Sequence, residues 1–146
     1  MNNSNAIDQF IKFYKNFSVE DINQFNSVYD KEIIFQDPFH CISGRDELLQ
    51  YFKKMMLKVS GCRFDIHEIT FDDATEGKER SAIVTWDMYF KHKVLNGGKK
   101  IVVNGATHLR YDDKIIFHRD YFDAGQLLYK NIPLLGSVIR LIERGM

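Results

Sequence analysis

The chain predicts an α+β domain in which a strongly curved, mostly antiparallel sheet wraps around helices near the N-terminus. Apolar residues recur at helical spacing as far as Val59, and from Cys62 onward the period changes to two. Clusters of Asn, Gly and Asp then cut the second stretch into long strands.

In the first element Ile7, Phe10, Ile11 and Tyr14 fall on one helical stripe that Phe13 and Phe17 widen, so an amphipathic helix packs inward. Ser18 stands as the N-cap of a second helix, with Glu20 and Asp21 in its first turn and Ile22, Phe25 and Tyr29 on its apolar side. Ile33 to Phe35 read as a buried strand that stops at Asp37-Pro38. A third helix begins at Ser43 or Gly44, carries Leu48, Phe52, Met55, Met56 and Val59 on one stripe, and ends at Gly61.

Cys62, Phe64 and Ile66 alternate with charged residues, and Ile69 and Phe71 continue in the opposite phase. A β-bulge near His67-Glu68 is therefore expected. Asp72 to Arg80 reads as a polar hairpin connection. Ala82, Val84, Trp86, Met88 and Phe90 then line one face of a long strand, which turns at Asn96-Gly97-Gly98. Ile101 to Tyr111 and Ile115 to Asp123 make two more strands joined at Asp112-Asp113. After them Pro133 opens a final amphipathic helix with Leu134, Leu135, Val138, Leu141 and Ile142 on its apolar stripe and Arg140 and Arg144 elsewhere. This helix is expected to close the core, contact a second copy or, with its thin basic face, rest on a membrane surface.

At 146 residues the chain forms one domain, with its core over about 6–125 and a helical extension over about 126–146. Lys plus Arg and Asp plus Glu are 20 each, so no basic field draws in nucleic acid, which is not an expected partner. Twelve Phe and seven Tyr exceed what a simple core needs, so some are expected at a pocket or interface; an aromatic-rich core is the alternative. Cys41 and Cys62 lack metal-like spacing and no apolar leader precedes Ile7, which leads to a cytoplasmic expectation. No apolar run reaches the roughly 20 residues of a membrane span.

Candidate chemistry starts at Asp37. Pro38 holds it in an extended conformation at the rim of a sheet beside Phe35 and Phe39. A carboxyl group so placed loses water, its pKa tends to rise, and it becomes a better proton acceptor near neutral pH. Asp-Pro is equally ordinary turn chemistry. On the last strand, alternation puts Ile116, His118, Asp120 and Phe122 on one face, where Asp120 would orient the His118 imidazole for acid/base work. The pair also suits a surface charge ladder. No histidine pair has zinc-site spacing, and neither a phosphate loop nor a nucleophile elbow is present, so no metal or cofactor is expected.

The order of these segments resembles the nuclear transport factor 2-like superfamily, which includes ketosteroid isomerases and SnoaL-like polyketide cyclases. The resemblance rests on Phe35-Gln36-Asp37-Pro38, Gly44-Arg45-Asp46-Glu47-Leu48, Asn104 to Asp112, and His118-Arg119-Asp120-Tyr121-Phe122-Asp123-Ala124-Gly125, within about residues 6 to 125. It implies a cone-shaped fold around a deep apolar pocket, commonly in a homodimer formed through the outer sheet face. Asp37 matches the isomerases' general base, which works opposite a Tyr and a protonated Asp. The matching positions here hold Phe10, with Tyr14 a turn later, and Thr107.

The expected function is proton abstraction next to a carbonyl of a lipophilic small molecule. Asp37 is the expected base, His118 and Asp120 are auxiliary groups, and Tyr14 is a hydroxyl donor. Phe10, Phe35, Trp86, Met88, Phe90, Thr107 and Phe122 are the expected walls. The alternative is a non-catalytic binder of a lipophilic ligand, or a dimeric interaction module of the same fold.

Overall fold

The stripe read in the first segment forms α1 (Ser4–Lys15), with Ile7, Phe10, Phe13 and Tyr14 buried. These elements come from a computed structural model that describes residues 4–72 and 79–146. The next helix, α2 (Ile22–Val28), is capped by Asp21, whose carboxylate accepts from the Gln24 amide at 3.0 Å. Ser18 sits too early for that role and accepts instead from the Glu20 amide. Tyr29 follows the helix as the first residue of β1 (Tyr29–Gln36).

The Asp37–His40 turn joins β1 to a short antiparallel strand, β2 (Cys41–Ser43), in a segment that the sequence reads as loop. Gly44 has φ +96°, which favours glycine, and precedes α3 (Arg45–Met56). The helix ends at Met56 rather than at Gly61. That glycine, with φ +61°, lies inside β3 (Val59–Asp72) where the register with β4 (Arg80–His92) breaks between Ser60 and Arg63. A second break, between Ile66 and Ile69, is the bulge that the phase switch predicts. The expected hairpin connection at Asp72 to Arg80 lies mostly outside the described residues.

Asn96, Gly97 and Gly98 all take positive φ in a 3-10 turn over Leu95–Gly98, which leads into β5 (Lys100–Tyr111) and then β6 (Ile115–Phe122). The sheet order is β2-β1-β6-β5-β4-β3, and β1–β6 is its one parallel pairing among the described residues. The α+β expectation of a mostly antiparallel sheet around N-terminal helices therefore holds. Alternation turns Ala82, Val84, Trp86 and Phe90 of β4 inward, and Ile101, Val103, Thr107 and Leu109 of β5 beside them. Together with Phe13, Phe25, Val28, Leu48 and Phe52 from the helices they form the core.

Asp123 caps a short α4 (Ala124–Leu127), accepting from the Gly125 and Gln126 amides, and a 3-10 turn over Tyr129–Asn131 follows. The final helix, α5 (Leu135–Gly145), starts two residues later than Pro133 implied. Leu134 has φ +67° and ψ −56°, and the Leu135 amide donates to the Pro133 carbonyl at 2.8 Å, a tight and strained kink. The polar side of α5 is fastened to the turn: Arg140 donates to the Lys130 carbonyl, Lys130 pairs with Glu143, and Gly136 lies flush on the Lys130 backbone. The expectation of a stripe docked over the cone is not met within this chain, since Leu134, Val138, Leu141 and Ile142 are 83, 53, 70 and 60% exposed. No described helix is long and apolar enough to cross a membrane.

Candidate functional site

Between α1, α3 and the concave sheet face lies a cavity of about 580 Å³. Phe10, Tyr14, Phe17, Phe35, Phe52, Phe64, Trp86, Met88, Phe90 and Phe122 supply most of its wall, and Leu127 and Leu128 extend it from the C-terminal segment. Four polar side chains interrupt this apolar lining: Asp37, Tyr51, Thr107 and Asp120. His40 and His92 join them, with Lys54 and Lys58 at the end of α3 and just beyond it. Burial pushes the Cys62 thiol, also on the wall, up to about 11, so it stays protonated and unreactive at neutral pH.

Asp120 reaches the cavity because β6 pairs with β5, placing it opposite Thr107. Thr107 Oγ1 donates to Asp120 Oδ1 at 2.6 Å and accepts from the Trp86 indole N–H at 2.8 Å. The same Oδ1 meets His118 Nε2 at 2.8 Å, whereas no described side chain bonds to Oδ2. His118 is 1% exposed and lies behind Asp120, packed on Phe35 and Phe10. It does not line the cavity beside Trp86, as strand alternation alone suggested. Its Nδ1 is 3.0 Å from the Tyr29 hydroxyl, which is 2.7 Å from the hydroxyl of Tyr14, a residue of the cavity wall. Burial, foremost, holds both tyrosines well above the usual phenol range.

Trp86 owes its place to Gly105, its cross-strand partner. A methyl group there would overlap the indole's six-membered ring. The indole therefore lies against bare backbone, with its N–H turned toward Thr107.

Asp37 lines the same cavity from the β1–β2 turn, and its side chain is 6% exposed. Its Oδ1 accepts from the Phe39 and His40 amides, each at 2.7 Å, and its Oδ2 from the Tyr51 hydroxyl at 2.7 Å. The His40 ring nitrogen lies 3.2 Å away. The carboxylate thus serves as a turn cap while also facing the cavity. Burial and then the Asp37 hydrogen bond drive the Tyr51 hydroxyl far above its ordinary range. Arg45, at the start of α3, turns away to the Asn26 and Tyr29 carbonyls.

Besides Phe17, Phe52, Phe64 and His40 of the lining, sequence reasoning missed two hydroxyls of this site. Tyr51 lies one position before Phe52 of the α3 stripe, and helical spacing puts Tyr29 on the apolar side of a helix. Only the fold brings either hydroxyl to a partner. Among the described residues no cluster of three His, Cys, Asp or Glu side chains is arranged to hold a metal ion.

The SnoaL-like domain model matches residues 10–118. The chain belongs to the SnoaL-like domain family. No functionally curated protein matches it. Among solved structures, this SnoaL-like domain is similar to an LEH-like epoxide hydrolase from M. tuberculosis, at 20% identity over 95% of this chain and 93% of that one, TM-score 0.64. It is also similar to a ketosteroid isomerase-like protein from Catenulispora acidiphila solved with trimethylamine, at 12% identity over 88% and 92%, TM-score 0.68. An NTF2-like protein of unknown function from Burkholderia pseudomallei matches at 14% over 86% and 95%, TM-score 0.68. At these identities the likeness is one of fold. Solved structures of this fold are described as polyketide cyclases, an isomerase and an epoxide hydrolase, so the fold by itself selects no reaction.

Proposed function

We propose that this SnoaL-like domain is an enzyme that removes a proton next to the carbonyl of a lipophilic substrate, with an aspartate as base. The observation that carries the reading is Asp120: a carboxylate with one oxygen held by two donors and the other open to an aromatic-walled cavity. Such a group is fixed in direction and still has a lone pair to accept a proton. Asp37 spends both oxygens on its turn and on Tyr51, so the base role expected of it passes to Asp120. Asp37 then keeps the Pro38–His40 turn and the Tyr51 hydroxyl in place at the wall. As the C–H bond breaks, its electron pair moves toward the carbonyl oxygen, and a hydroxyl donor at Tyr14 stabilises the charge that develops there.

A second reading, a non-catalytic binder of a lipophilic molecule, is supported by the aromatic lining itself. Deuterium uptake separates the two. In D2O the wild-type chain should speed exchange at the methyl next to the carbonyl of 2-acetonaphthone, followed by proton NMR. Asp120→Asn should lose about 10² to 10⁴ of that rate, the usual share of general-base catalysis, with a smaller loss in Asp37→Asn. A ketone that binds yet exchanges no faster than in buffer leaves the binder reading standing and removes the enzyme.

The same proposal includes a cytoplasmic homodimer joined through the outer sheet face. Ile83, Val102 and Tyr121, which alternation turns outward, are 40, 40 and 49% exposed. Sedimentation should give twice the chain mass, and Val102→Glu should halve it. A monomeric wild-type chain rules the dimer out.

A further inference from the structure

The hydrogen bonds behind Asp120 form one connected line, and the donors in it can be assigned from chemistry. Trp86 Nε1 only donates, so Thr107 Oγ1 must accept from it, and the single Thr107 proton goes on to Asp120 Oδ1. An ionised Asp120 also accepts from His118 Nε2, which therefore carries a hydrogen. The far nitrogen, Nδ1, meets the Tyr29 hydroxyl. Tyr29 is fully buried, and its hydroxyl has two hydrogen-bond partners among the described residues, His118 and Tyr14. Its one proton must point to one or the other.

That choice has two outcomes. With a neutral His118, Nδ1 is an acceptor, Tyr29 donates to it, and Tyr14 donates to Tyr29. Tyr14 then offers the cavity lone pairs alone. With an imidazolium, Nδ1–H donates to Tyr29, Tyr29 donates to Tyr14, and the Tyr14 proton is released toward the cavity. We infer that His118, acting through Tyr29, sets whether Tyr14 meets the ligand as donor or acceptor, which makes Tyr29 a positioning residue of the site.

The inference rests on the acid/base reading only for its use in catalysis. In that use the competent state pairs the Asp120 carboxylate with the His118 imidazolium. The substrate proton passes to Asp120 Oδ2, the C–H electron pair becomes the enolate, and the enolate oxygen accepts from Tyr14. The net charge of site and substrate is unchanged, because the proton lost by carbon is the one Asp120 gains. The groups facing His118 are Tyr14 and apolar Phe10 from α1, Tyr29 and apolar Phe35 from β1, apolar Leu109 from β5 and Asp120 on its own strand. Burial keeps the two tyrosines protonated, so among them the imidazole and Asp120 are left to change charge.

The test needs no substrate. With the full chain carrying 15N-histidine and 13Cζ-tyrosine, His118 nitrogen shifts and the Tyr14 and Tyr29 ring signals are followed between about pH 5 and 9, the range that brackets histidine titration. Where the His118 nitrogens change between imidazolium and the Nε2–H form, both tyrosine signals should move at the same midpoint. In Tyr29→Phe the Tyr14 signal should lose that step while His118 still titrates. Affinity for 2-acetonaphthone, whose carbonyl only accepts, should fall about tenfold across the midpoint in wild type, the scale of one hydrogen bond, and stay level in Tyr29→Phe. A Tyr14 signal indifferent to His118, a His118 that keeps one protonation state throughout, or an Nδ1–H neutral tautomer overturns the inference. The wild-type titration decides this even if Tyr29→Phe does not fold. Tyrosine signals that follow His118, in a chain that exchanges no deuterium into the ketone, leave the inference intact and remove the enzyme reading.

Discussion

At the scale of single residues, the cavity floor depends on Gly105 having no side chain. The Trp86 ring occupies the space a methyl group would take, and from there its N–H reaches Thr107 at 2.8 Å. Gly105→Ala should therefore tilt the indole off the sheet and cost about 1–3 kcal/mol, the usual range for overpacking a tight site. Trp86 is the one tryptophan of the chain, so its fluorescence reads the change directly. The emission maximum should shift to the red and the urea midpoint should drop. An unchanged spectrum and midpoint would mean that the indole has room to move and does not hold Thr107 toward Asp120.

Among the elements, α5 is the one whose sequence and surroundings disagree. Its apolar stripe is long enough to bury, yet in this chain the helix is fastened by its polar side to the Tyr129–Asn131 turn, and the stripe faces outward. Burial, at roughly 1.5 to 3 kcal/mol for each fully buried aliphatic side chain, contributes little through the exposed Leu134, Val138, Leu141 and Ile142. Removing residues from Ile132 onward should lower the thermal midpoint by less than about 4 °C, the shift that ~1 kcal/mol produces at this size. Binding of the hydrophobic dye ANS should fall, because exposed leucines leave with the helix. A large loss of stability, or stronger dye binding, would show that the stripe covers apolar surface in solution.

For the whole molecule, the common property of the buried hydroxyls and the thiol is that folding keeps them protonated. Burial raises Tyr14, Tyr29 and Tyr51 above 10.0 and Cys62 from 9.0 to about 11. In the unfolded chain these groups ionise near their ordinary values, so above about pH 9 the folded state binds more protons than the unfolded one. Stability is then complete below that pH and declines as pH rises, by about 1.4 kcal/mol per pH unit for each proton retained. Urea midpoints should hold steady from about pH 7 to 8.5 and fall steeply by about pH 10.5. Tyr51→Phe should make the alkaline decline shallower. A level midpoint across that range would show that the buried groups ionise in place at little cost.

The order of helices and strands was legible in the sequence because burial imposes a period, 3.6 on a helix and 2 on a strand, and each change of period marks an element. Hence the stripe of α1, the inward face of β4 and the bulge near His67 could all be read from spacing. The cap at Asp21, the helix end at Met56 and the strand Cys41–Ser43 could not, since each depends on which of several adequate residues the packed chain selects. The candidate site divides the same way. Sequence could nominate Asp37, Tyr14, Thr107 and Asp120 as chemically able groups, but hydrogen bonds between residues 13 to 89 positions apart decide their roles. Pairing of β1 with β6 brings His118 beside Tyr29, and pairing of β5 with β6 puts Thr107 against Asp120. Residue type by itself sets which protons a side chain can give or take. Only the tertiary structure decides which partner is within 3 Å, and in a buried network that choice separates a turn cap from a base.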